Sequence, residues 1–334
     1  MEMAVERLQA LTRWTRQQLG TDAVAITPAS SDASFRRYFR ATAKGQDYIV
    51  MDAPPSHEDC RPFVAVAALF GAAGVNVPRV LAQDLAQGFL LLTDLGTTTY
   101  LAALGEDTAR ELYLAANDAL IRIQLASRAG VLPDYNRTLL LRELALFPEW
   151  YVGRHLGVTL DADQAASLAA VFERIVAHNL AEPRVFVHRD WHSRNLMVSD
   201  PNPGILDFQD AVYGPISYDL VSIYRDAYIA WDEEHQLDWV IRYWERARAA
   251  GLPVRSDFAD FWRDFEWMGV QRQLKVLGIF ARLFHRDGKA GYLADMPRVM
   301  GYLRTACARY DELKPLRLLL DTLENRAAQV GYTF

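Results

Sequence analysis

Short runs of alternating apolar and polar residues occupy the first quarter of the 334-residue chain. A two-residue period of this kind predicts strands. The predicted strands are 34–43, 46–53, 77–81 and 88–92, with Lys44-Gly45 as a hairpin turn between the first two. Helices are predicted at 3–19 and 57–73, where apolar residues recur every three or four positions. The pattern therefore predicts a small, strand-rich N-terminal part.

The rest of the chain follows a helical period almost throughout. Helices are predicted at 107–128, 140–155, 161–181, 217–230, 233–250, 256–286, 293–309 and 312–328. Three short apolar runs interrupt this series and are predicted to be strands, at 185–187, 195–198 and 204–206. The boundary between the two parts is predicted at about residue 95, which gives regions 1–95 and 96–334.

Polar residues stand at the ends of these three interrupting strands. Asp190 and Asn195 lie in one loop, and Asp207 follows the third strand. Phosphoryl transfer to a hydroxyl group needs this set, because Asp190 would accept the hydroxyl proton while Asn195 and Asp207 would supply oxygen ligands to Mg²⁺. The alternative is a polar loop on an ordinary α/β domain with His188 capping a strand, and the apolar flanks favour the first interpretation.

With this motif the sequence resembles the aminoglycoside phosphotransferase/choline kinase-like superfamily. The pattern H-x-D-x(4)-N, followed by an apolar residue and Asp, is met by His188, Asp190, Asn195 and Asp207. A later Gly-Pro-x-x-x-Asp-Leu is met at 214–220. The resemblance implies an α+β, protein kinase-like bilobal fold, with a β-rich nucleotide-binding N-lobe and a larger, mainly helical C-lobe for catalysis and substrate. It also implies ATP and Mg²⁺ as cofactors, a structural role for His188, and a role for Asp219 in bracing the catalytic loop.

Composition limits the other classes of function. The formal net charge of −6 argues against general nucleic-acid binding, which needs a basic face. No apolar run approaches the roughly 20 residues of a membrane span, and the amphipathic N-terminus is unlike a signal peptide. Cys60 and Cys307 belong to no C-x-x-C pattern and are expected to be reduced thiols of a cytoplasmic protein. No protein partner is evident.

The nucleotide lobe departs from the protein-kinase pattern. The chain has no G-x-G and no Walker A motif, and the loop at 30–34 is rich in serine. The lysine that the family usually carries in strand 48–52 is replaced by Met51 or Asp52. Three arginines and a serine are candidates for the phosphate contacts, namely Arg36, Arg37, Arg40 and Ser34, although the arginines would also suit a solvated strand edge. By resemblance, Thr93, Asp94 and Leu95 form the adenine-binding hinge, and a buried edge strand ending in a turn would look the same.

The predicted helix 256–286 carries the candidates for acceptor binding. Gln271 and Lys275 are four residues apart with Arg272 beside them, which predicts either an anion-binding wall or a solvated helix face. Additional candidates for the substrate site are Glu149, Trp150, Arg194, Arg225 and Asp226. Ordinary packing is the alternative for these residues.

Four stretches resemble the bacterial anomeric N-acetylmuramate/N-acetylglucosamine kinases of the same superfamily. They are 31–40, 51–55, 207–215 and 270–283. The resemblance implies that ATP phosphorylates the anomeric hydroxyl of these amino sugars in peptidoglycan recycling, and that Arg272 or Lys275 binds the lactyl carboxylate of N-acetylmuramate. The alternatives are an aminoglycoside or another hydroxyl acceptor, or a pseudokinase-like binding module. Loss of the strand lysine favours a pseudokinase, whereas the intact Asp190, Asn195 and Asp207 favour catalysis.

Overall fold

The computed structural model describes residues 2–31 and 35–324. The chain divides into two compact units. The first unit is Met1–Ile123 with Arg194–Ala211, and the second unit is Gln124–Ser193 with Val212–Phe334. The lobe boundary near residue 95 stays a prediction. In the described ranges no helix is both long and apolar enough to cross a membrane.

The first unit is built on a five-stranded antiparallel sheet with the strand order β1-β2-β3-β5-β4. Apolar side chains of α1, including Leu11 and Trp14, pack on one sheet face against Phe39, Val50 and Phe89. The elements of this unit are α1 (Glu2–Leu19), β1 (Ala25–Ser31), β2 (Arg37–Ala43), β3 (Gln46–Asp52), α2 (Arg61–Ala72), β4 (Val80–Asp84), β5 (Phe89–Thr93), α3 (Tyr100–Ala103), α4 (Ala109–Leu125, ending just inside the second unit), β7 (Leu196–Met197) and β8 (Gly204–Ile205). β7 and β8 pair as a short antiparallel hairpin.

Two strands of this sheet differ from the prediction. β1 was not predicted, because Pro28 lies within it and proline is tolerated only at a sheet edge, which is where β1 runs. The strand predicted at 77–81 is wrong in its position, since β4 begins at Val80. Pro78 has no N–H to donate, so pairing starts after it.

The second unit is mainly helical and is centred on the 30-residue helix α9. Most of α9 is buried, and it packs against α5, α6, α7, α8 and α10. The elements are α5 (Arg137–Leu144), a π-helical segment (Phe147–His155), α6 (Ala162–Leu180), β6 (Arg184–Val187), β9 (Val212–Pro215), α7 (Tyr218–Tyr224), α8 (Glu233–Ala249), α9 (Phe258–Asp287), a 3₁₀ turn (Ala290–Asp295), α10 (Met296–Arg309), a second 3₁₀ turn (Asp311–Leu313) and α11 (Lys314–Leu323). β6 pairs with β9 in an antiparallel ladder.

Three predicted elements of this unit need correction. The helix predicted at 140–155 is divided into α5 and the π-helical segment, because Pro148 cannot continue the hydrogen bonding of α5. The helix predicted at 217–230 ends at Tyr224, and β9 was not predicted because only its pairing with β6 makes it a strand. For the helix predicted at 312–328, positions 325–328 lie outside the described residues.

Candidate active site

The loop that carries Asp190 is fixed from helix α7. Asp219 is fully buried, and its carboxylate accepts the backbone N–H groups of His188 at 2.7 Å and Arg189 at 3.0 Å. Burial raises the pKa of Asp219 to about 7, against the lowering effect of these two N–H donors. A second carboxylate, that of Asp226, accepts the N–H of Ser193 at 2.8 Å. Two carboxylates therefore hold the backbone of the loop on both sides of Asp190.

His188 lies inside the fold beneath the loop. Its side chain is fully buried and lies edge-on to the buried ring of Trp191, with ring centroids 5.4 Å apart. Its Nδ1 accepts the backbone N–H of Asp190 at 3.2 Å. The imidazole therefore supports the position of Asp190 from behind, and it belongs to no group of three His, Cys, Asp or Glu side chains that could hold a metal among the described residues.

Positive charge surrounds Asp190. Burial acts to raise the pKa of its carboxyl, but the charges of Lys275, His192, Arg272 and Arg189 hold that pKa below its ordinary value. Asp190 is therefore ionised at neutral pH. An ionised carboxylate at this position has the protonation state that a proton acceptor requires.

Asn195 and Asp207 lie together at the base of the β7–β8 hairpin in the first unit. The backbone carbonyl of Asn195 accepts the N–H of Leu206 at 2.9 Å, and the Asn195 Nδ2 donates to Asp207 Oδ2 at 3.3 Å. Gln209 Nε2 donates to the other carboxylate oxygen of Asp207 at 2.8 Å. Asp207 has a left-handed backbone with φ 61°, which is uncommon outside glycine and turns its side chain sharply away from the strand direction.

The chemistry of this pair suits Mg²⁺. One carboxylate and one amide supply hard oxygen atoms, and Mg²⁺ commonly takes one or two such protein ligands and fills its remaining positions with water and phosphate oxygens. Because the described ranges contain no group of three His, Cys, Asp or Glu side chains that could hold a metal, the donor set is suited to a nucleotide-bound ion and not to a closed protein cage.

The candidate phosphate-binding arginines each have an acidic partner. Arg37 pairs with Asp52, a fully buried residue at one of the two positions that could replace the family's strand lysine. Arg7 of α1 binds the same carboxylate at 2.6 Å. Arg40 pairs with Asp94, and its Nη2 also donates to the Gly96 carbonyl at 3.1 Å.

Arg36 lies 3.7 Å from Glu58, a residue that also accepts the backbone N–H of Phe35 at 3.1 Å. Ser34 lies outside the described residues. Arg7 could not be predicted as a partner of Asp52, because α1 is remote from the hairpin along the chain.

The residues of the expected hinge follow β5. The Thr93 Oγ1 accepts the N–H of Arg79 at 2.9 Å, so this side chain extends the pairing of β4 with β5 at the end away from their connection. The Leu95 side chain lies so close to Gly204 that a Cβ there would be 3.1 Å from Leu95 Cδ1. The expected contact of these hinge residues with adenine stays a prediction.

Helix α9 carries its three polar candidates inside the protein. Gln271 is fully buried, Arg272 is 6% exposed and Lys275 is 7% exposed, so the alternative of a solvated face is wrong. Arg272 Nε donates to Ser222 Oγ at 2.5 Å, and the guanidinium lies 5.9 Å from the Tyr218 ring. Lys275 donates to the Tyr218 hydroxyl at 2.8 Å.

Both Gln271 and Lys275 also bind Glu143 of α5, a residue that the sequence-based prediction missed. Gln271 Nε2 lies 3.1 Å from Glu143 Oε2, and Lys275 Nζ lies 3.1 Å from Glu143 Oε1. A signal was present, because Glu143 interrupts the buried apolar face formed by Leu140, Leu144 and Phe147.

The other candidates for the substrate site are not all brought to one place. Arg225 is buried and pairs with Glu266 at 2.9 Å, and Asp226 holds the backbone of Ser193. Glu149 and Arg194 are exposed, and Trp150 is half-buried. Arg225 and Asp226 thus have structural partners, and the contact of any of these residues with a substrate stays a prediction.

Comparison with known proteins identifies similar sequences over most of the chain. The model of a phosphotransferase enzyme family matches residues 25–258. An N-acetylmuramate/N-acetylglucosamine kinase of Pseudomonas aeruginosa is 54% identical over 302 residues, covering 90% of this chain and 89% of that protein. A protein of the same name from Neisseria meningitidis serogroup B is 49% identical over 336 residues, covering 99% and 100%. Another from Caulobacter vibrioides is 35% identical over 315 residues, covering 81% and 85%.

Solved structures of aminoglycoside phosphotransferases share the fold. A thermostable variant in complex with AMP-PNP and hygromycin B has a TM-score of 0.58 at 17% identity, covering 89% of this chain and 98% of that one. A gentamicin complex has a TM-score of 0.58 at 12% identity, covering 91% and 97%. The likeness confirms the predicted α+β, protein kinase-like fold.

Proposed function

Because the chain belongs to the phosphotransferase enzyme family, we propose that it transfers a phosphoryl group from ATP to the anomeric hydroxyl of N-acetylmuramate and N-acetylglucosamine. The observation that carries the chemistry is the placement of Asp190 on a loop whose backbone is bound by Asp219, followed along the chain by the hydrogen-bonded Asn195–Asp207 pair. Cell-wall sugars released for reuse are the source of such acceptors, and ATP as donor assigns the reaction to the cytoplasm.

Asp190 is the catalytic residue of this proposal. Its carboxylate accepts the hydrogen bond of the acceptor hydroxyl, orients the oxygen for attack and takes the proton as the bond to phosphorus forms. A hemiacetal hydroxyl is more acidic than an ordinary alcohol, so a carboxylate of low pKa is a sufficient base. The transition state of phosphoryl transfer is loose, so positioning and neutralisation of charge contribute most of the acceleration.

Asn195 and Asp207 would hold Mg²⁺, which when bound neutralises the phosphate oxygens. Their oxygens are preassembled by the Asn195–Asp207 hydrogen bond, and Gln209 keeps the Asp207 carboxylate in one orientation. Among the arginines, Arg36 is our candidate for the phosphate contact in place of the strand lysine, with Glu58 as its acidic partner. Arg37 and Arg40 are each bound to a carboxylate that belongs to the sheet or its end.

The cations of α9 support the choice of an amino-sugar acid as acceptor. The Arg272 Nε donates a hydrogen bond to Ser222. A guanidinium has five N–H donors, so this bond uses one of them. Arg272 is therefore the residue that we assign to the lactyl carboxylate of N-acetylmuramate. Polycationic aminoglycosides would meet these same positive charges, which argues against them as acceptors.

A coupled assay with ATP and Mg²⁺ tests this function directly. The acceptors are N-acetylmuramate, N-acetylglucosamine, glucose and kanamycin, and phosphorus NMR identifies the product. We expect turnover with the two amino sugars and an acid-labile anomeric phosphate. Turnover with kanamycin alone would contradict the proposal in favour of an antibiotic-modifying enzyme, and failure with every acceptor would favour a binding module.

A further inference from the structure

Arg189, the residue before Asp190, has an unfavourable backbone conformation. Its φ is 79°, in the left-handed region that a residue with a Cβ rarely adopts. Three contacts hold it there: the N–H donates to Asp219 Oδ1 at 3.0 Å, the guanidinium binds Glu143, and the same group lies 5.7 Å from the Tyr135 ring. Because Arg189 directly precedes Asp190, its backbone angle determines the direction in which the chain presents the Asp190 side chain.

Glu143 gathers donors from three separate segments. Its Oε1 accepts from Arg189 Nη2 and from Lys275 Nζ, and its Oε2 accepts from the Tyr135 hydroxyl and from Gln271 Nε2. An ionised carboxylate has about four acceptor positions, so this one is fully occupied. The side chain is only 6% exposed, and the arrangement leaves no position for water.

Electrostatics match this geometry. Burial acts to raise the pKa of Glu143, but the charges of Lys275 and Arg189 and the donated hydrogen bonds lower it overall, so the group is ionised. Two cations around one carboxylate leave one positive charge in excess. Lys275 and Arg189 are also among the charges that lower the pKa of Asp190, so the excess charge acts on the catalytic carboxylate.

A purely structural role does not account for this cluster. Glu143 occupies a position on the buried face of α5 between Leu140 and Leu144, where its neighbours on the helix face are apolar and its charge loses hydration. Replacing buried ion pairs with apolar residues is often neutral or stabilising. A buried carboxylate at this position, bound to the residue beside the proposed base, is better explained by positioning.

We propose that Glu143 is a positioning residue that links helix α9 to the catalytic loop: its carboxylate holds Arg189 in the conformation that aims Asp190, and at the same time holds Lys275 and Gln271. The amide oxygen of Gln271 is buried and has no hydrogen-bond partner among the described residues, so it remains available to a hydroxyl donor. Glu143 thereby fixes the base and the polar residues of α9 relative to each other. The inference rests on the proposed function, because Asp190 is the base only in that reaction.

Glu143→Gln tests the link, since it keeps the shape of the side chain and removes its charge. We expect kcat to fall by about 10–100-fold, the effect of a small misplacement of reacting groups. The KM of the sugar should rise, whereas the Kd of ATP, measured by calorimetry, should stay within twofold. The matched control is Glu173→Gln. It removes an exposed carboxylate that pairs with Arg137, a residue on α5 like Glu143. This variant should leave the kcat, the KM of the sugar and the Kd of ATP unchanged.

Arg189→Gly separates positioning from folding. Glycine tolerates a φ of 79° without strain, so the variant should fold, but it adopts other φ values as readily, and without the contact to Glu143 this φ is less firmly held. We expect a similar loss of kcat, and we expect Glu143→Gln to add little in the Arg189→Gly background, because the two changes remove the same contact. If Glu143→Gln does not fold, Arg189→Gly alone decides, and a wild-type kcat in that variant overturns the proposal.

Hydrogen exchange provides a readout that does not need turnover. The backbone amides of 186–193 should exchange at least severalfold faster in Glu143→Gln than in the wild type or in Glu173→Gln. If the wild type shows no kinase activity, the proposed function fails, and the exchange rates still decide whether Glu143 holds the loop. Unchanged exchange at 186–193 together with an unchanged kcat would reject the role of Glu143 while leaving the kinase assignment intact.

Discussion

At the scale of single residues, the loop that carries the proposed base, Asp190, is held through its backbone. Asp219, Asp226 and His188 all bind main-chain groups around Asp190. We therefore expect the side chain at position 190 to keep its place when its charge is removed. This makes an isosteric substitution informative about chemistry alone.

Asp190→Asn should retain nucleotide binding and lose transfer. The amide cannot take the proton of the acceptor, so we expect kcat to fall by about 10²–10⁴-fold. The Kd of ATP should change little, because Asp190 acts on the acceptor. Steady-state turnover combined with calorimetric titration of a non-hydrolysable ATP analogue measures both. A variant with the turnover of the wild type would exclude Asp190 as the base.

Arg272→Ala should separate the two amino sugars. N-acetylmuramate has a lactyl carboxylate that N-acetylglucosamine lacks, so only the first sugar loses a hydrogen bond to a charged group. We expect its KM to rise by about tenfold or more, with a much smaller change for N-acetylglucosamine. Competition between the two sugars in one reaction gives the ratio of kcat/KM directly. An equal loss on both sugars would mean that Arg272 serves the fold through Ser222 and does not bind the lactyl group.

The local motif residues could be predicted from the sequence, whereas their distant partners could not. Asp190, Asn195 and Asp207 belong to one short segment with a characteristic spacing, so pattern and chemistry suffice to single them out. Glu143 is 46 residues from Arg189, and Arg7 is 45 residues from Asp52, so only the folded chain brings these pairs together. A charge on an apolar helix face was the one visible sign of Glu143.

At the scale of elements, the long helices and the short strands β6, β7 and β8 were predicted well, whereas β1 and β9 were not predicted. Helices such as α9 and α6 bury a continuous apolar stripe, which gives a clear period in the sequence. β1 and β9 are strands because of their partners, and neither has a strong period of its own. Proline accounts for two further differences, since Pro78 delays β4 and Pro148 divides the helix that was predicted at 140–155.

Helix α7 should make the stability of the second unit depend on pH through Asp219. The pKa of this carboxyl is raised from 3.8 to about 7, so the folded state binds the proton more tightly than the unfolded state. The contribution of Asp219 to stability is therefore complete at low pH and declines as the pH rises from 3.8 to about 7.

The variant Asp219→Asn does not titrate and serves as the reference. The free energy of unfolding of the wild type, minus that of Asp219→Asn, should decrease by an amount on the order of 1–4 kcal/mol between pH 5 and pH 8. Urea denaturation at each pH measures it. A difference that grows with pH would mean that the two backbone N–H donors outweigh burial and keep Asp219 ionised.

At the scale of the whole molecule, a ligand that binds only the folded state raises the stability of the entire chain by mass action, wherever its site lies. Thermal unfolding therefore reports on the nucleotide and the metal without any assumption about how the two units are arranged. A ligand at about 100 times its Kd contributes about 2.7 kcal/mol, which is a shift of several degrees in Tm for a protein of this size.

Asp207→Asn should remove the part of this shift that depends on Mg²⁺. In the wild type, ATP with Mg²⁺ should raise Tm by more than ATP with EDTA, because Asn195 and Asp207 hold the ion against the phosphates. In the variant we expect the two shifts to become equal, since a neutral amide is a far weaker ligand for Mg²⁺ than a carboxylate. Asp200→Asn is the matched control, because it removes an exposed carboxylate from the segment that joins β7 and β8. If Asp207→Asn retains the full difference between the two conditions, the metal is held elsewhere and the assignment of Asp207 fails.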